Sequence, residues 1–200
     1  MNFISNEAYH IYNRGNNKQT IFFNDENYLF FLRKIQSQLK PCCDILCWCL
    51  MPNHFHLIIQ ASEESCKPRP GFGGKSMQEL SYSIGKLLSS YSQAINKQNK
   101  TTGSLFQQKT KSKPLITTKS DKGGNYLINA MHYCHQNPWK AGLVKKLEDW
   151  PYSSFPDYCG LRKGTLCNKA LLMELTGYDE QNFYRDSYGV IKDFDEGDFF

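Results

Sequence analysis

Residues 44–60 read DILCWCLMPNHFHLIIQ. An apolar run over 44–51 ends at Met51-Pro52-Asn53, and a second run, His54–Gln60, begins at once. Proline followed by asparagine is a turn signal, so the two runs read as neighbouring strands of a hairpin. Side chains alternate faces along a strand. His54 and His56 therefore project from one side, while Phe55, Leu57 and Ile59 project into the other as core.

Working outward, Ala8–Asn13 (AYHIYN) is aromatic and β-branched and ends at Arg14-Gly15, a first strand running into a turn. Asp25–Leu39 reads as a helix: Asn24 or Asp25 caps it, acids occupy its first turn, and Pro41 lies beyond its end. Its apolar positions 28, 29, 31, 32, 35 and 39 share one helical face. Residues 61–75, rich in Pro and Gly, read as a flexible loop. The loop's Gly-Lys-Ser resembles the end of a phosphate-binding P-loop, but Arg69 stands where that motif needs glycine. A second helix is expected over about Ser76–Gln98, a strand over Gly103–Pro114, and a third helix over Asp121–Asn137, stopped by Pro138. A compact irregular segment and a short helix over 166–177 follow. The order β α β β α β α predicts an α+β, ferredoxin-like split β-α-β sandwich. An antiparallel sheet would carry two helices on one face, leaving the other to a site and the third helix.

Charge is divided along the chain. The formal net charge is +5, yet residues 179–200 hold seven acids and two bases, which leaves +10 on the remainder. A basic body suggests a polyanion partner, and the acidic end, expected to be loosely held, suggests a screen that competes with it. No run of eighteen apolar residues predicts a membrane span, and the N-terminus lacks a signal-peptide pattern. The eight cysteines form no CxxC pair, so reduced, buried thiols and a cytoplasmic, nucleoid-associated setting are expected.

Two constellations carry chemistry. Two imidazoles one pleat apart, His54 and His56, can share a divalent ion, although on spacing alone ordinary histidines on a polar sheet face are the commoner reading. A third donor must come from elsewhere. On the third helix Tyr133 and Asn137 stand four apart on one face. A tyrosine hydroxyl can serve as a nucleophile once its target phosphate is polarised, and the asparagine carbonyl could complete a metal site. Tyr126, one heptad earlier, is the rival tyrosine, and packing is the ordinary role of either. Seven lysines lie between 97 and 122, and Lys109, Lys111 and Lys113 share a strand face, which suits a phosphate-tracking groove. Arg14, Phe106 and Trp139 are candidates for contacts with unpaired bases.

In combination these stretches resemble a known family. MPNHFHLII resembles the His-hydrophobic-His motif of the single-tyrosine HUH nucleases, and YCHQNPWKAGLV resembles the tyrosine motif of the REP-associated tyrosine transposases. YHIYNRGNN, GSLFQQKTKSKPL and DWPYSSFPDY fit the same pattern in the same order, over about residues 8–160. The resemblance implies a metal-dependent single-stranded DNA endonuclease and strand transferase acting through a covalent 5′-phosphotyrosine, with hairpin-forming repeat DNA as substrate. It implies Tyr133 as nucleophile and His54, His56 and Asn137 as ligands of Mg²⁺ or Mn²⁺, while the basic residues Arg14, Lys109, Lys111, Lys113 and Lys140 are the expected DNA contacts. It further implies a nuclease domain over 1–160 with a C-terminal extension over 161–200, working as a monomer or homodimer. The alternatives are a catalytically inactive DNA-binding regulator, a replication or mobilisation initiator, and a metal hydrolase that uses water. Cys134 departs from the branched apolar residue usual there, and loop 61–75 and the acidic tail have no counterpart in the pattern.

Overall fold

The computed structural model describes residues 1–115 and 123–189. In chain order the main elements are β1 (Ala8–Arg14), α1 (Asp25–Lys34), β2 (Cys43–Met51), β3 (His54–Ala61), α2 (Glu63–Cys66), β4 (Pro68–Pro70), β5 (Ser76–Gln78), α3 (Glu79–Asn99), β6 (Lys111–Leu115), α4 (Gly123–Lys140), α5 (Phe155–Tyr158), α6 (Lys169–Thr176) and α7 (Phe183–Ser187). Strands β2-β3-β1-β6 form one sheet in that order, every pair antiparallel. With α1 and α3 on one face, this is the split β-α-β arrangement expected from the sequence.

The two sheet faces bury different things. Tyr9, Ile11, Trp48, Leu50, Phe55, Leu57 and Ile59 pack against Phe31 and Ile35 of the first helical segment and Leu80, Leu87 and Tyr91 of α3. Tyr91 also donates its hydroxyl to the Ile21 carbonyl at 2.7 Å, so its one polar atom is satisfied in the core. On the opposite face Cys47, Cys49, Met51 and Ile58 pack against Leu127, Met131 and Tyr133 of α4. Helices α6 and α7 then cover the back of α4 through Leu172 and Phe183. Every residue from Ala130 to Pro138 is consequently buried, the signature of a helix enclosed all round.

Several boundaries differ from the sequence expectation, each for a local reason. The strand expected over Gly103–Pro114 is regular only from Lys111. Before it, Asn13 donates its side-chain amide to the Gln107 carbonyl and Thr110 Oγ1, and Gln107 N–H donates to Arg14 O, so 107–110 are tied to the end of β1. Loop 61–75 contains α2, closed by a Ser62–Ser65 capping box, and β4, which pairs with β5. That pairing occupies Ser76–Gln78, so α3 starts at Glu79. Pro138 does not stop α4, which runs to Lys140. Proline offers no N–H to the Cys134 carbonyl; the Asn137 side-chain amide donates to it at 3.4 Å and to Tyr133 O at 2.9 Å. The first part of the acidic end is held in place: Phe183 and Ser187 are buried, and Asp186 accepts from the Tyr178 hydroxyl at 2.7 Å. Residues 190–200, with four of the tail's seven acids, lie outside the described residues.

Candidate nucleic-acid and metal site

The site grows from the pairing of β1 with β3. Antiparallel register sets Tyr12 opposite His56 and Arg14 opposite His54. Cross-strand partners share a face, so the even-numbered residues of β1 join the two histidines on the α4 side. His10, one pleat further along, completes the group: its Nε2 lies 2.9 Å from His56 Nδ1. Tyr12 stacks on the His10 ring at 4.8 Å. His10 escaped the sequence reading, because its place depends on β1 pairing with β3 rather than with β2. Its even spacing with Tyr12 and Arg14 was the available signal.

All three imidazoles are neutral by environment. Burial pushes His54 down to about 4, and the Arg14 charge adds to the shift. Burial pushes His10 to about 3, aided by Lys113, which pairs with it on β6. His56 is lowered further below the ordinary imidazole range, by burial first and then by His10, His54 and Arg14. Neutral imidazole is the form that ligates metal. Asn53 Oδ1 lies 2.6 Å from His54 Nδ1, and an amide oxygen can only accept, so the proton sits on Nδ1 and the lone pair on Nε2. Both sequence-predicted histidines thus have Nδ1 engaged by a neighbour.

Two clefts meet at His54, and His56 lines the first of them. The first, about 320 Å³, is lined by Tyr12, Arg14, His54, His56, Gln107, Lys109 and Lys111 among others. The second, about 760 Å³ including its open mouth, runs from Arg14 and His54 past Lys18 and Asn53 to Ala141 and Leu143, just beyond α4. Arg14 and His54 line both. No carboxylate stands among the described residues that line either cleft, so the walls present net positive charge. Lys111 also holds its ammonium 5.7 Å from the Tyr12 ring.

The remaining candidates are placed less directly. Lys113 sits beside His10 in the ladder. Tyr133 is 3% exposed and packs in the α4-side core with Met51, which itself lines the second cleft. Neither Tyr133 nor Asn137 lines either cleft. Lys140 lies 4.9 Å from the Tyr133 ring. Asn137 spends its amide N–H groups on helix carbonyls, which leaves Oδ1 as its acceptor. Tyr126, the rival, is partly buried on the same helix. Phe106 is no base-stacking residue: it is buried in the two-helix core, edge-on to Phe55 at 6.0 Å. Trp139 is 40% exposed and open to contact. His132 and His135 serve packing instead, bonded to Ser187 at 2.9 Å and Ser154 at 2.8 Å.

Among the described residues, no three His, Cys, Asp or Glu side chains converge as a metal cluster. The chemistry of the donors still fits a divalent ion. His54 and His56 supply two neutral nitrogens, and oxygen ligands from Asn137, water or a phosphate would fill the remainder. No helix among the described residues is long and apolar enough to cross a membrane.

No protein-family model matches the chain. A Haemophilus influenzae protein provisionally named a REP-associated tyrosine transposase is 24% identical over 139 residues, covering 62% of this chain and 69% of that protein. The solved structure of a REP-associated tyrosine transposase bound to a REP hairpin superposes with a TM-score of 0.58 at 18% identity, covering 81% of this chain and 86% of the other. The chain is thus similar in sequence to one protein provisionally named a REP-associated tyrosine transposase and shares the fold of another.

Proposed function

We propose that this protein nicks and rejoins single-stranded DNA at hairpin-forming repeats, with Tyr133 as nucleophile. The observation that carries the reading is the pairing of His54 and His56, neutral and side by side, in a cleft that no carboxylate lines among the described residues. The fold is shared with a transposase whose structure holds a hairpin. Arg14, Lys109 and Lys111 bind backbone phosphates and position the strand without reading its sequence. His54, His56 and Asn137 would hold Mg²⁺ or Mn²⁺, which when bound supplies Lewis-acid polarisation of the scissile phosphate. The Tyr133 oxygen forms a bond to phosphorus as the bond to the 3′-oxygen breaks. The phenolic proton passes to solvent, and the departing 3′-oxygen takes up a proton. A 5′-phosphotyrosine and a free 3′-hydroxyl result, and reversal by another 3′-hydroxyl joins strands. Tyr133 is 3% exposed, so the reading requires its hydroxyl to open toward the phosphate when the strand binds.

A labelled single-stranded hairpin incubated with the protein and Mn²⁺, then run on a denaturing gel, tests this. A covalent adduct is expected with wild type and absent from Tyr133→Phe. An adduct that survives Tyr133→Phe and disappears in Tyr126→Phe reassigns the nucleophile. The burial of Tyr133 favours one second reading, a hairpin-binding protein that does not cut. Tight binding without any adduct across a panel of hairpins would select it.

A further inference from the structure

We propose that His10 is a positioning residue that selects the tautomer of His56, keeping the proton on His56 Nδ1 and the lone pair on Nε2. The inference rests on the reading of His56 as a metal ligand. It starts from geometry. His10 is fully buried, and its Nε2 lies 2.9 Å from His56 Nδ1. The ring centroids are 5.0 Å apart and the planes differ by 15°. With the nitrogens this close, that separation belongs to two rings joined edge to edge in one plane, the arrangement of a directed hydrogen bond. A face-to-face stack would bring the centroids nearer.

Two neutral rings can share such a contact in two ways. Either His10 donates from Nε2, which puts the His56 proton on Nε2 and abolishes the lone pair there, or His56 donates from Nδ1 and His10 accepts. The surroundings favour the second. His56 and Arg14 line the same cleft, and the guanidinium charge acts on the His56 ring. A cation is better faced by a lone pair than by an N–H dipole. The stack of His10 on Tyr12, itself opposite His56 in the ladder, fixes the ring that accepts. His54 has the equivalent service from Asn53. The two neighbouring histidines would then present matching Nε2 lone pairs, one set by an amide and the other by a third imidazole.

The decisive measurement needs neither metal nor a variant. Long-range ¹H–¹⁵N correlation spectra of the metal-free wild-type protein, labelled at histidine, report which nitrogen of each ring carries the proton. His56 and His10 are both expected as Nδ1–H forms, and a His56 proton on Nε2 overturns the proposal. Variants supply the consequence. His10→Gln keeps an acceptor near the position of Nε2, and His10→Phe removes it. Mn²⁺ titration should show about a 10- to 100-fold loss of affinity for His10→Phe and near wild-type affinity for His10→Gln. Equal losses in both, with both folded by circular dichroism, reject tautomer selection. If His56 is the Nδ1–H form but wild type itself binds no Mn²⁺, the metal reading fails while the tautomer assignment stands.

Discussion

Arg14 of β1 faces His54 of β3 directly across the ladder, and the two side chains form the wall that both clefts share. A strand crossing from one cleft to the other must pass this guanidinium. Replacing it tests the path of the nucleic acid. Arg14→Ala should weaken single-stranded DNA binding about 10-fold at moderate salt and lower the log–log salt slope by about 0.7. Arg14→Lys should recover part of the affinity but not the forked contact. Fluorescence anisotropy across a salt series reads both, and an unchanged slope in Arg14→Ala would remove Arg14 from the path.

The lysines of the β6 region divide by position. Lys109 and Lys111 line the first cleft, whereas Lys113 stands beside His10 in the ladder. Lys109→Ala with Lys111→Ala should lower the salt slope by about 1.4, and Lys113→Ala by much less. Equal effects from all three would mean a diffuse basic surface and no defined groove.

Gly15 ends β1 where the chain turns back on itself. A Cβ built there meets the Gln19 carbonyl oxygen at 2.0 Å, and its own N–H donates to Asn53 O. Glycine is needed for this close approach. Gly15→Ala should cost about 2–3 kcal/mol, a fall in Tm of about 5–10 °C. It should also weaken DNA binding, because Arg14 and Asn53 flank the displaced turn. A melting curve and the anisotropy assay test the two effects separately.

His132 gives the protein an acid sensitivity unrelated to the site. Burial against Phe183 and Tyr178 holds it down to about 4, although Asp186 acts in the opposite sense. In the unfolded chain the same imidazole takes its proton near 6.5. Below that pH the unfolded state binds the extra proton, so the contribution of this group is constant above neutrality and falls as pH drops toward 4. At pH 5 the loss relative to pH 7.5 is ~2 kcal/mol for this group. Urea midpoints at the two pH values should differ less in His132→Gln than in wild type. An identical pH dependence would place the sensitivity elsewhere.

The sheet could be read in advance because its signals are local. Alternation in His54–Gln60 and the Pro52-Asn53 turn both survive in the structure. The placement of His54 and His56 on one face follows from the same period. Long-range facts were hidden. His10 joins the site only through the β1–β3 register, and Phe106 is lost to the core because Asn16 N–H and Gln107 N–H are tied across the β1 end. The burial of Tyr133 is of the same kind. An α4 pattern alone does not tell that α6 and α7 cover its second side. Pro138 was read by its usual effect, and a single side-chain amide on Asn137 offset it.

Strand β2 has nine residues against eight in β3, and the extra one is Leu46, set between the Ile45–Ile59 and Cys47–Ile58 pairs. Before this bulge the odd-numbered residues of β2 face α1 and α3; after it the even-numbered ones do, and Cys47, Cys49 and Met51 turn toward α4. The bulge therefore acts as a phase marker between two halves of one strand. Without Leu46, Ile45 opposite Ile59 and Cys47 opposite Ile58 would be consecutive pairs of an unbroken ladder, and every other side chain would keep its face. The extra residue therefore contributes bend and twist to β2, and a second apolar side chain beside Cys47 toward α4. The aim of the two imidazoles is held from the other edge of β3, where the ladder with β1 runs without a break.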